Sequence, residues 1–127
     1  MDEVVLALLL QLSLYFPQYE HPTELPQIYY VDYAALSTVC DTIKQIRGCA
    51  GRTNHGYVIY LQKGFNVSSI VHKSFLAHEL MHYVQWSNGE YGESIFNKEC
   101  SENVAYQFEK LIRGISVFDK RRVRCED

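Results

Sequence analysis

The chain has 127 residues, of which 47% are hydrophobic and 21% charged, and its formal net charge is −3. That length suits one domain spanning residues 1–127, and the composition excludes a disordered polypeptide. The slightly acidic balance argues against a nucleic-acid partner, and the one basic run, Lys120-Arg121-Arg122-Val123-Arg124, reads as solvated surface.

From the N-terminus, Val4 to Leu12 is an apolar run. It is too short to span a bilayer. It follows Asp2 and Glu3 rather than basic residues and precedes no small-residue cleavage site, so neither a transmembrane segment nor a signal peptide is expected. Leu8, Leu12 and Tyr15 lie at helical spacing and predict a buried helix that Pro17 stops. Pro17, Pro22 and Pro26 mark an irregular connection over 17–26. Ile28 to Val31 predicts a short strand. Asp32 can cap a helix reaching to about Ile46, with Leu36, Val39, Ile43 and Ile46 turned inward. Gly48 to Gly56 holds three glycines and predicts a loop, whereas Tyr57 to Leu61 is the clearest strand of the chain. Ser68 or Ser69 can cap a helix to about Trp86, buried along Leu76, Leu80 and Val84 and ended by Gly89. After a loop from Ser87 to about Glu93, a last helix runs from about Ser94 to Arg113, with Val104, Phe108, Leu111 and Ile112 apolar and Gly114 at its end. The order helix, strand, helix, strand, helix, helix predicts an α+β domain with a small sheet packed on helices.

Cys40, Cys49, Cys100 and Cys125 allow three pairings. No CxxC is present, which disfavours a structural zinc knuckle or a thioredoxin-like site. A Cys40–Cys49 bridge would close a short loop around Gly48, and a bridge at Cys100 would tether the last helix. Paired cysteines would suit a secreted or periplasmic protein, and free thiols a cytoplasmic one.

The chemistry centres on His78-Glu79-Leu80-Met81-His82. Residues i and i+4 of a helix stack on one face, so two imidazoles can reach one metal ion. Zinc accepts neutral histidine nitrogens in tetrahedral geometry. Glu79 projects about 100° round the helix from His78, where it can contact a metal-bound water without binding the metal. A catalytic zinc needs a third protein ligand. A third histidine six positions after His82, with a glycine midway, is absent, since Asn88 and Gln85 stand there. A carboxylate on the last helix is the remaining option. Glu102 is preferred over Glu99, and Glu90, Glu93 and Glu109 are further away in the pattern.

HExxH, nineteen intervening residues and then Glu is the spacing of thermolysin-type zinc peptidases, and over residues 57 to 112 the chain resembles these gluzincins. Glu102-Asn103-Val104-Ala105-Tyr106-Gln107-Phe108 looks like the E-x-x-A-x-x-F ligand helix of small relatives, and Phe75 to Gln85 looks like their active-site helix. The total length resembles that of the minigluzincins. The resemblance implies a compact zincin-like single domain, with a small sheet packed on an active-site helix and a C-terminal ligand helix. It implies Zn2+ on His78, His82 and Glu102, Glu79 as general base, and a peptide or protein substrate. It also implies an oxyanion donor, for which Tyr91 in the loop between the two helices is the candidate, ahead of Tyr83, Tyr106 and His55. The strand Tyr57 to Leu61 would be the edge strand that pairs with extended substrate. Thermolysin carries an aspartate four residues after its glutamate ligand, supporting the first histidine. Here that place is Tyr106, which leaves the partner of His78 unassigned. The competing class is a zinc-binding module of the same fold that does not cleave.

Overall fold

The computed structural model describes residues 2–40, 48–53, 56–90, 95–115 and 125. Helix α1 spans Asp2–Tyr15 and buries Val5, Leu8, Leu9 and Leu12. The expected stripe needs one correction. Tyr15 is 37% exposed, and the buried place falls to Phe16, whose ring meets Phe108 edge-on at 5.9 Å between centroids. The helix stops before Pro17, and 17–26 is irregular as expected.

Three strands form one sheet in the order β1 (Gln27–Val31), β3 (Gly56–Gln62), β2 (Gly48–Thr53). β1 runs parallel to β3 and β2 antiparallel to it. Two expectations fail here. Residues 48–53 are a strand, not a loop, and β3 is the central strand, not an edge. Paired backbone on one side of β3 outweighs the weak strand propensity of Gly48 and Gly51. Gly48 itself is demanded by packing, because a Cβ there would sit 2.7 Å from the Tyr60 carbonyl oxygen. Thr53 pairs with Gly56, so two residues separate the strands, and Gly56 takes φ 110°, a value that suits glycine at the hairpin.

Side chains alternate across β3. Ile59 and Leu61 face the main core with Leu76, Leu80, Val84, Val104 and Phe108. Val58 is buried on the other face, where helix α2 (Tyr33–Val39) lies against β3 with Leu36 fully covered. α2 ends at Val39, which is 47% exposed, rather than at Ile46. Ile43 and Ile46 lie outside the described residues. Asp32 stands at the N-cap of α2, but its side chain makes no capping bond and pairs instead with Lys63 at 3.2 Å.

Helices α3 (Ile70–Ser87) and α4 (Ile95–Ile112) pack side by side. Ser69 caps α3 by accepting the His72 amide at 3.3 Å. Gly89, at φ 85°, ends it. Among the described residues no helix is long and apolar enough to cross a membrane.

Two cysteine pairs stand at bonding distance, Cys40–Cys49 and Cys100–Cys125. The first ties the end of α2 to β2. The second ties Cys125 to the first turns of α4. A crosslink over 25 residues removes chain entropy equivalent to about 3.5 kcal/mol from the unfolded state. Replacing Cys100 and Cys125 together with Ser is therefore expected to lower the urea midpoint by about 2 M. Equilibrium unfolding followed by circular dichroism measures it, and an unchanged midpoint contradicts it.

Candidate metal centre

α3 carries Ser74, Leu76, Ala77, Leu80, Met81 and Val84 into the core. The stripe through His78 and His82 is thereby turned toward α4, whose Glu102 faces it. His82 Nε2 lies 3.2 Å from His78 Nε2. Glu102 Oε1 is 2.5 Å from His82 Nε2, and Oε2 is 3.6 Å from His78 Nε2. Among the described residues these three form the group able to hold a metal ion. Two ligand atoms each 2.0–2.1 Å from a tetrahedral zinc lie about 3.3 Å apart, so the separation of the two imidazoles fits as it stands, while the Glu102 oxygen beside His82 Nε2 has to draw back by about 0.8 Å to admit the ion. Glu99 is exposed and stands outside the group. Glu90 is buried and engaged elsewhere, accepting from the Tyr19 hydroxyl at 2.7 Å and the Cys125 amide at 3.2 Å.

Both imidazoles are held from behind. His82 Nδ1 meets Gln85 Oε1 at 2.9 Å, and Gln85 Nε2 donates to the Ser101 carbonyl at 3.1 Å. Gln85 is 1% exposed, so one buried amide orients the second histidine and registers α4 one residue before Glu102. His78 Nδ1 lies 3.0 Å from Glu109 Oε1 in an ion-pair contact that is not aligned as a full hydrogen bond. Arg113 Nη2 approaches Glu109 Oε2 at 3.6 Å while Arg113 Nε donates to Ser74 Oγ at 2.8 Å. With protons on both Nδ1 atoms, both Nε2 lone pairs point to the shared centre. Such facing lone pairs call for a cation or a proton between them.

The sequence reading missed Glu109 and Gln85, although helical spacing held the signal. Glu109 is seven residues after Glu102, two turns along the same face, and Gln85 is three residues after His82. Tyr106, where thermolysin has its aspartate, sets its ring edge-on against His78 at 4.7 Å and is 48% exposed. Tyr83 gives its hydroxyl to the Glu24 carbonyl at 2.5 Å. Tyr91 and His55 lie outside the described residues.

Glu79 lies beside the three candidate ligands and is partly buried. It makes no hydrogen bond among the described residues. Burial pushes its carboxyl up, against the pull of His82 and His78. A cavity of about 530 Å³ opens over these groups, bounded by Cys49, Ala50 and Gly51 of β2. That is within the usual range for ligand clefts, about 300–1,000 Å³.

The metal-free centre keeps a proton where the cation would sit. Burial pulls the His78 imidazole down, but contacts with Glu102 and Glu109 outweigh it and raise it to about 9. The same contacts, with His78 first and His82 second, hold Glu102 well below the usual carboxylate range. The sign is fixed by the raised value. His78 stays protonated below about pH 9 and must lose that proton to bind metal. Apparent metal affinity is therefore expected to rise about tenfold per pH unit from pH 7 to 9 and then level off. Competition with a chromophoric chelator across that range measures it, and a flat profile contradicts it.

No protein-family model matches the chain, and no curated protein or solved structure shows significant similarity to it.

Proposed function

We propose that this chain is a zinc-dependent metallopeptidase of the gluzincin kind, with a zincin-like pairing of α3 and α4. The observation that carries the reading is the meeting of His78 Nε2, His82 Nε2 and the Glu102 carboxylate at one point beside Glu79. A set of two imidazoles and one carboxylate, with room left on the cavity side, suits catalytic zinc. When bound there, zinc acidifies a water and polarises a carbonyl. Glu79, one position round the helix from His78 and lining the same cavity, takes the proton of the attacking water and hands it to the leaving amine nitrogen. Gln85 and Glu109 keep both imidazoles in the ligating tautomer. The oxyanion donor is assigned to Tyr91 by resemblance alone.

Substrate pairing moves from β3 to β2. β3 has partners on both sides, whereas among the described residues β2 ends the sheet, and it borders the cavity. Alternate residues of an edge strand turn their N–H and C=O groups outward, ready for an extended peptide. Peptides or proteins are thus the substrate class. The two cysteine bridges support an oxidising, secreted or periplasmic setting.

Elemental analysis of protein purified without chelator, together with hydrolysis of a broad peptide library, tests this. One zinc per chain and cleavage that a chelator abolishes and zinc restores are expected. Zinc-loaded protein that cleaves no peptide overturns the enzyme in favour of a zinc-binding module, and protein that takes up no zinc overturns both.

A further inference from the structure

The cleft continues past the metal ligands onto an aromatic surface. His78, His82 and Trp86 are successive i, i+4 positions on α3, so one helical stripe carries both imidazoles and then an indole. The Trp86 ring lies 5.3 Å from Tyr57 of β3, and Tyr83 stands 5.4 Å from Tyr57 and 6.3 Å from Trp86. Tyr83 is 6% exposed and anchored through its hydroxyl to the Glu24 carbonyl, so the cluster is held rigidly from behind. Tyr57 and Trp86 are only half-buried, and both line the same cavity as His78, His82, Glu79 and Glu102.

The facing wall is β2, whose outer edge has no strand partner among the described residues. Gly51 lies there, and the fold does not demand a glycine at that position. A Cβ at 51 meets nothing within 4 Å, and its φ is not positive. A strand glycine without an internal reason marks a place where another backbone comes close.

We propose, resting on the peptidase reading, that the cleft selects an aromatic side chain of an extended peptide, seated on Trp86 and Tyr57 within about two residues of the scissile bond. The distance follows from the elements. Four residues of helix separate His82 from Trp86 by about 6 Å, and an extended peptide covers about 3.3 Å per residue. A flat, preformed aromatic pair favours an aromatic guest in an offset or edge-on arrangement over an aliphatic one of similar size. Backbone pairing with β2 holds the peptide without regard to its side chains, so selectivity falls to this surface.

Trp86 is the one tryptophan of the chain, so its emission reports directly on the surface. The experiment titrates zinc-loaded Glu79→Gln protein with end-blocked alanine-rich hexapeptides in which a single Phe is walked through every position. At one register the Phe peptide is expected to bind at least about tenfold tighter than the all-alanine peptide, with a saturable change in Trp86 emission. The same register should set the Phe-to-Ala ratio of kcat/KM in the parent protein. Trp86→Leu, which has no tryptophan left to report and is titrated by isothermal calorimetry alongside the parent Glu79→Gln protein, should bring the binding ratio below about threefold with zinc stoichiometry unchanged. No preference for Phe at any register overturns the proposal, as does one that survives Trp86→Leu. Because binding is read without hydrolysis, the two readings fail separately. A parent protein that cleaves nothing while its variant binds the Phe peptide removes the peptidase and leaves the aromatic subsite. Cleavage without Phe discrimination does the reverse.

Discussion

Glu79→Gln protein is expected to keep one zinc per chain and to lose peptide hydrolysis, with kcat/KM lower by about 10²–10⁴. Glu79 shares a helix with both histidine ligands but stands outside the group that can hold the metal. The amide is close to isosteric with the carboxylate, so His78, His82 and Glu102 keep their geometry. What disappears is the acceptor for the water's proton. Burial has already pushed the Glu79 carboxyl up, so in the metal-free chain its charged form is disfavoured by folding. The native state holds this proton more tightly than the unfolded state, and stability falls as pH rises through the native value. Removing the ionisable group should leave metal-free Glu79→Gln at least as stable as the parent at neutral pH, a trade of stability for function. Steady-state kinetics, elemental analysis and urea unfolding read the three quantities. Hydrolysis within tenfold of the parent would sink the assignment of the base, and loss of zinc would show that Glu79 is a ligand after all.

Glu109→Leu is expected to weaken zinc binding by about 10–100-fold. The carboxylate is 16% exposed and lies between His78 Nδ1 at 3.0 Å and Arg113 Nη2 at 3.6 Å. Without it, the Nδ1 side of a nearly buried imidazole loses the negative charge beside it, and the ring is less firmly held with Nε2 toward the centre. Arg113 loses its acid too, though it keeps Ser74 Oγ and lies over the Phe75 ring at 5.2 Å. Glu109→Gln preserves shape and an acceptor, so its loss should be the smaller of the two. Both variants remove a carboxylate that raises His78, so the pH at which affinity levels off should drop below about 9. Chelator competition gives affinity and plateau together. Unchanged affinity in Glu109→Leu would mean that the 3.0 Å contact does not orient the ligand.

That the thermolysin spacing leaves His78 without a partner at residue 106 has a physical cause. A helix face repeats at three, four and seven residues, so a carboxylate supporting His78 can come from any of several turns. The thermolysin pattern looks four residues after the glutamate ligand, where this chain has Tyr106. The working carboxylate is seven residues after it, on almost the same angular position. Similarly, Gln85 stands where the pattern with a third histidine has its glycine, and three residues after His82 is where a side chain of the same helix can reach back to an imidazole.

Hydrophobic period and local chemistry determined much on their own. They foretold α3 and α4, a serine cap at 68 or 69, Gly89 and Gly114 as stops, the strand at 57–61, and His78 and His82 on one face of α3. All of these depend on interactions within a few residues or on a strong apolar stripe. Tertiary structure alone decided that Gly48–Thr53 is a strand, that β3 lies inside the sheet, and that the free edge at the cleft is β2. It also decided which carboxylate lies against His78 and that Trp86 and Tyr57 share a cavity with the candidate metal ligands. Strand pairing joins backbones whose side chains carry little record of the partner, and a cavity is bounded by residues far apart in the chain, so neither leaves a periodic mark in the sequence.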